Sequence, residues 1–115
     1  MERSNFQVGD IVVGTYWIGY QTRYKYFRVK GHTKSGAPRV RELKATVTEH
    51  SSTPVDSTTV HILDPNLEEI GDILAARWST KQQNWGVSIP FFNEKLRSSL
   101  EPYVPGTSYR EDSYY

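Results

Sequence analysis

Between Arg23 and His32 the chain alternates, and this alternation constrains the fold more than any other feature. With a period of two, Phe27 and Val29 fall on one face, and Tyr24, Tyr26, Arg28 and Lys30 on the other. With Phe27 and Val29 turned inward, the second set forms an exposed ladder of two rings and two cations. Thr33 to Pro38, TKSGAP, then supplies a polar turn centred on Ser35-Gly36. Arg39 to His50 alternates again, with Arg41, Leu43, Ala45 and Val47 sharing one parity. Two alternating runs around a short polar turn predict an antiparallel hairpin that sets its basic strands side by side.

The flanking segments extend the pattern. Gly9-Asp10 gives turn chemistry before the apolar run Ile11-Val12-Val13, a first strand, and Gly14 marks a bulge or a close backbone approach. Gly19 beside Tyr20 predicts a tight bend. Ser51 to Thr59 is a polar loop broken by Pro54, and Val60 to Leu63 is a short strand closed by Asp64-Pro65-Asn66. Leu67, Ile70 and Leu74 could share a helical face, but Gly71 interrupts it, so we expect a turn at Glu69 to Gly71 and a strand from Asp72 to Ser79. Trp78 and Trp85 flank the polar loop Lys81 to Asn84 and should face each other across a hairpin. Leu96 and Leu100, four apart after a possible cap at Asn93, mark one short helix. The expected architecture is a single all-β domain over residues 1–115: a small antiparallel, partly closed β-barrel of about six or seven strands with at most one short helix. Residues 105–115 form an edge strand or tail, and closure hides strand edges in so small a chain.

Charge is distributed unevenly. From Tyr16 to Lys44 there are eight basic residues and one acid, a formal +7, whereas the remainder holds six basic and twelve acidic residues, a formal −6. Tyr16, Trp17, Tyr20, Tyr24, Tyr26 and Phe27 crowd the same segment. Cations attract phosphate, and flat rings give bases a surface to stack on. Trp17, Tyr24 and Tyr26 are therefore candidate stacking residues, and Arg23, Lys25, Arg28, Lys30, Arg39 and Arg41 candidate phosphate contacts. The same residues fit two further roles. Aromatic and arginine side chains also anchor protein interfaces, with a host or virion protein as the partner. Rings and cations also suit an ordinary sheet surface.

Signatures of catalysis and metal binding are missing. With no cysteine there is no disulfide framework and no thiolate site. His32, His50 and His61 lack metal-ligand spacing, no P-loop or GxGxxG is present, and no serine lies in GxSxG. Glu68-Glu69 and Glu111-Asp112 are adjacent pairs that read as solvated turn charges. We expect no cofactor, no metal and no enzymatic activity. The first residues, MERSNF, lack the apolar core of a signal peptide, and no run of about eighteen apolar residues occurs. A soluble, cytoplasmic protein with no membrane partner is expected.

The motifs GDI (Gly9 to Ile11), GYQT (Gly19 to Thr22), YFRV (Tyr26 to Val29) and VREL (Val40 to Leu43) resemble a family of small proteins of unknown function. That family is associated with bacteriophages, plasmids and integrated mobile elements. Its pattern is GDI, a WGYxQT block, three residues and FYxV; here Ile18 separates Trp17 from Gly19, and Gln21 follows Tyr20 directly. Pro65 through Gly71 and the closing PGTSYREDSYY extend the likeness over nearly the whole chain. The resemblance implies a mobile-element origin and no particular activity.

Overall fold

The computed structural model describes residues 6–18, 21–51, 59–91, 94–105 and 109–113. Eight strands follow in chain order: β1 (Ile11–Ile18), β2 (Gln21–His32), β3 (Pro38–Ser51), β4 (Thr59–Ala75), β5 (Arg77–Ser79), β6 (Asn84–Phe91), β7 (Glu94–Pro102) and β8 (Tyr109–Ser113). All pairings are antiparallel, in one sheet of order β5-β6-β7-β1-β2-β3-β4-β8. The all-β antiparallel expectation holds, with one strand more than anticipated. Strands β5 and β8 are left as edges, so the barrel is partial at most.

The sheet carries a core on each face. Val12, Phe27, Val29 and Val40 pack with Trp85, Val87, Ile89 and Leu100 in the first core, whereas Val13, Tyr26, Leu43 and Leu63 form the second. Val12 lies opposite Phe27, and Val13 opposite Tyr26. Successive side chains on a strand point to opposite faces, so these two adjacent pairs belong to opposite cores. The covered face thus changes along β2. Its N-terminal half is covered on the Tyr24–Tyr26 face, and its C-terminal half on the Phe27–Val29 face. Each fully buried Val, Leu or Phe contributes roughly 1.5–3 kcal/mol, and at the crossing point adjacent Tyr26 and Phe27 are both completely buried, one in each core.

This arrangement corrects the expected ladder. Phe27 and Val29 do point into a core, but Tyr26 is completely buried as well. Its hydroxyl donates to the Leu63 carbonyl at 2.8 Å, and its ring meets Tyr103 edge-on at 5.6 Å. Tyr24 packs half-buried against the same cluster. A ring so enclosed has no face left on which a base could stack.

Several boundaries also differ from expectation. The turn at Glu69 to Gly71 and the stop at Asp64-Pro65-Asn66 are both absorbed into β4 as irregularities. The register jumps between Arg41↔Ile73 and Glu42↔Ile70, and again between Leu43↔Glu69 and Ala45↔Pro65. Gly71 takes a positive φ of 75°, which accommodates the first jump without ending the strand. The expected strand 72–79 divides at Ala76, whose N–H donates to the Pro38 carbonyl at 2.8 Å. The expected helix around Leu96 is instead strand β7. A spacing of four fits a helical turn and also two strand repeats, and Leu96, Ser98 and Leu100 all turn inward at period two. Gly14 proves to be a close approach: a Cβ there would overlap the Ser98 hydroxyl and sit 2.8 Å from the Phe27 ring. The Trp78–Trp85 pair forms as expected, with centroids 5.3 Å apart. The bend at Gly19 and Tyr20 and most of the polar loop after Ser51 lie outside the described residues.

Candidate nucleic-acid interface

Because the covered face switches along β2, the basic residues fall into two groups on opposite faces. Arg28, Lys30, Arg39 and Arg41 share the face left open beside the first core. Arg23 and Lys25 share the face left open beside the second.

The first group has the unusual geometry. Arg28 lies directly opposite Arg41 in the β2–β3 ladder. Like charges in that position repel and destabilise a sheet. The pairing jumps from Val29↔Val40 to Gly31↔Arg39, leaving Lys30 as the extra residue of a bulge on the same edge of the group. Glu69 reaches all three cations: Lys30 Nζ at 3.0 Å, Arg41 Nη1 at 3.6 Å and Arg28 Nη1 at 4.0 Å. Arg41 Nε donates to the Gly71 carbonyl at 2.8 Å, so the β4 irregularity supplies both a carboxylate and an oriented carbonyl. Three cations sharing one carboxylate leave a local excess of two positive charges. Asp72, in the same irregularity, forms no ion pair among the described residues. The hydrogen bond from Lys30 holds the Glu69 carboxyl below the usual glutamate range; partial burial opposes this, and the charges of Lys30, Arg41 and Arg28 add to it. Among the described residues Arg28 Nε is shielded from solvent and has no hydrogen-bond partner, and the same holds for Ser98 Oγ in the core.

In the second group Lys25 has a carboxylate of its own. Lys25 Nζ meets Glu42 Oε2 at 3.2 Å, and nearby Lys44 meets Glu68 at 3.8 Å. Arg23 stands opposite Tyr16 on β1. Trp17 is 56% exposed, opposite Thr22 near the far end of β1. It is six residues from Ile11, the β1 partner of Arg28, or about 20 Å at ~3.4 Å per residue. Of the nine sequence-derived candidates, the fold gathers Arg28, Lys30, Arg39 and Arg41. It separates Arg23, Lys25 and Trp17 from them, half-covers Tyr24 and buries Tyr26.

Glu69 is the site residue that the sequence did not reveal. Next to Glu68 and before Gly71 it reads as a solvated turn charge, whereas the long β4 strand brings it across two neighbours. Among the described residues no group of His, Asp and Glu could hold a metal ion, and His32 Nε2 is engaged with the Phe6 carbonyl at 2.7 Å. Among the described residues no helix is long and apolar enough to cross a membrane. No protein-family model, curated protein or solved structure matches the chain.

Proposed function

We propose that this chain is a non-enzymatic binding protein of a mobile element that holds nucleic acid by its phosphates on the Arg28, Lys30, Arg39 and Arg41 face. The opposition of Arg28 to Arg41, with a single carboxylate for three cations, carries this reading. A fold optimised for stability alone gains nothing from two arginines facing each other, whereas a polyanion offsets their repulsion. With Tyr26 in the core, binding rests on phosphate contacts, so it is insensitive to sequence and falls steeply with salt. The motif likeness described above supports the mobile-element context. Fluorescence anisotropy with labelled duplex and single-stranded oligonucleotides tests this. Affinity at low salt, lost progressively between about 50 and 200 mM, is the expected result; no binding at low ionic strength would overturn it.

One observation favours a protein partner, either a host factor that the chain inhibits or a subunit of a virion. Trp17, Leu67 and Ile73 are large apolar residues more than half exposed, and exposed Trp is a side chain that commonly anchors protein interfaces. Affinity purification with and without nuclease separates the two: a stable protein partner that survives nuclease treatment supports this second reading and counts against the first.

A further inference from the structure

We infer that an aromatic cleft distinct from the Glu69-bridged cations binds a small organic cation, a quaternary or substituted ammonium on an apolar body. The cleft lies between the segment before β1, the β5–β6 hairpin and the end of β7, with a volume of about 660 Å³. Pockets of roughly 300–1,000 Å³ are the size that encloses small ligands. Among the described residues four rings line it, Phe6, Trp78, Trp85 and Tyr103, together with two acids, Asp10 and Glu101. No lysine, arginine or histidine is among its described lining residues.

The composition selects the ligand. Aromatic faces carry negative potential, and the two carboxylates add to it, while the nearest bases stand behind the lining: His32 on the Phe6 carbonyl and Arg97 on the Asn84 carbonyl and side chain. An anion is repelled, and a neutral apolar molecule gains only burial. An organic cation gains burial, attraction to the rings and pairing with the carboxylates. The walls are held in place before any ligand arrives. Trp85 is buried beneath the more open Trp78, 5.3 Å away at 75°. Phe6 is tied through its carbonyl to His32. Asp10 Oδ2 accepts from the Gln7 N–H at 2.8 Å, and the Gly9 N–H donates to the Val29 carbonyl at 2.8 Å. Such preorganisation lowers the ordering cost of binding.

The test titrates the full chain with benzyltrimethylammonium, with benzyl alcohol and benzenesulfonate as neutral and anionic comparators, read by tryptophan fluorescence and by amide and indole NMR shifts. Expected are saturable shifts at the Trp78 and Trp85 indole N–H, and affinity for the cation about five-fold or more above both comparators. Asp10→Asn with Glu101→Gln should reduce cation affinity towards that of benzyl alcohol while leaving the alcohol unaffected. If the double variant fails to fold, Glu101→Gln, at an exposed position, carries the comparison alone. Equal affinity for benzyl alcohol, shifts confined to residues outside the cleft, or a cation affinity unchanged in the charge variants would each overturn the assignment.

Discussion

The two halves of β2 carry the same kinds of residue and do different things. In the first half, Tyr24 and Tyr26 go into a core and Lys25 faces out with one carboxylate of its own. In the second, Phe27 and Val29 go into the other core, and Arg28 and Lys30 face out sharing one carboxylate with Arg41. The difference comes from which face the rest of the sheet covers. Composition alone assigns both halves to one basic aromatic surface; coverage divides it into a balanced patch and an unbalanced one.

The largest expected effect breaks the aromatic half of this comparison. Tyr26→Ala removes a completely buried ring and should cost about 3–5 kcal/mol, the range for truncating a core aromatic. Tyr26→Phe keeps the ring but leaves the Leu63 carbonyl without its donor, and should cost about 1–3 kcal/mol. Urea unfolding measures both. Neither change should alter nucleic-acid affinity of the folded protein. A Tyr26→Phe variant of normal stability and weakened binding would return Tyr26 to the binding surface.

Much of the fold is legible in the sequence because a single strand period is a local property. Alternation places Phe27 and Val29 inward, TKSGAP places the β2–β3 turn, and the tryptophans flanking a polar loop find each other. Coverage is not local. Period two tells which residues share a face, not whether both faces are buried, and so it groups Tyr26 wrongly with the cations of its own parity. The adjacent apolar pairs Val12-Val13 and Tyr26-Phe27 carry the missing signal, since neighbouring large apolar residues mark a strand covered on both sides. Leu96 and Leu100 are ambiguous because four residues close both periods. Glu69 is invisible as a site residue because its partners come from two other strands.

The next effect concerns the unbalanced patch. Arg28→Ala with Arg41→Ala removes two phosphate contacts, so the slope of log affinity against log salt should fall by about 1.8, at ~0.9 per contact on duplex. Anisotropy titrations across salt concentrations measure it. An unchanged slope would place the phosphate contacts elsewhere. Glu69→Gln should act in the opposite direction on binding, raising low-salt affinity several-fold by releasing three cations from their shared carboxylate.

The same substitution has a pH signature. The folded-state pKa of Glu69 lies below its unfolded value, chiefly through the Lys30 hydrogen bond. The stability it contributes is therefore fully present above the ordinary glutamate range and is lost as pH falls through the lowered folded value. The stability difference between wild type and Glu69→Gln should shrink as the solution is acidified through that window. A difference independent of pH would mean that the carboxylate charge is not what holds Lys30, Arg28 and Arg41 together.

The smallest expected effect is the sharpest control. Lys25 and Glu42 form a 3.2 Å pair with both side chains about 30% exposed, and such pairs contribute about 0–1 kcal/mol. Lys25→Met keeps the aliphatic stem, so thermal unfolding should shift little. Because Lys25 lies on the face opposite Arg28, affinity for nucleic acid should also change less than the double arginine variant changes it, and the salt slope should stay as in wild type. Equal losses from Lys25→Met and Arg28→Ala would mean that a polyanion contacts both faces at once, wrapping the edge of the sheet instead of lying on one side, and the distinction between a balanced and an unbalanced patch would then have no bearing on binding.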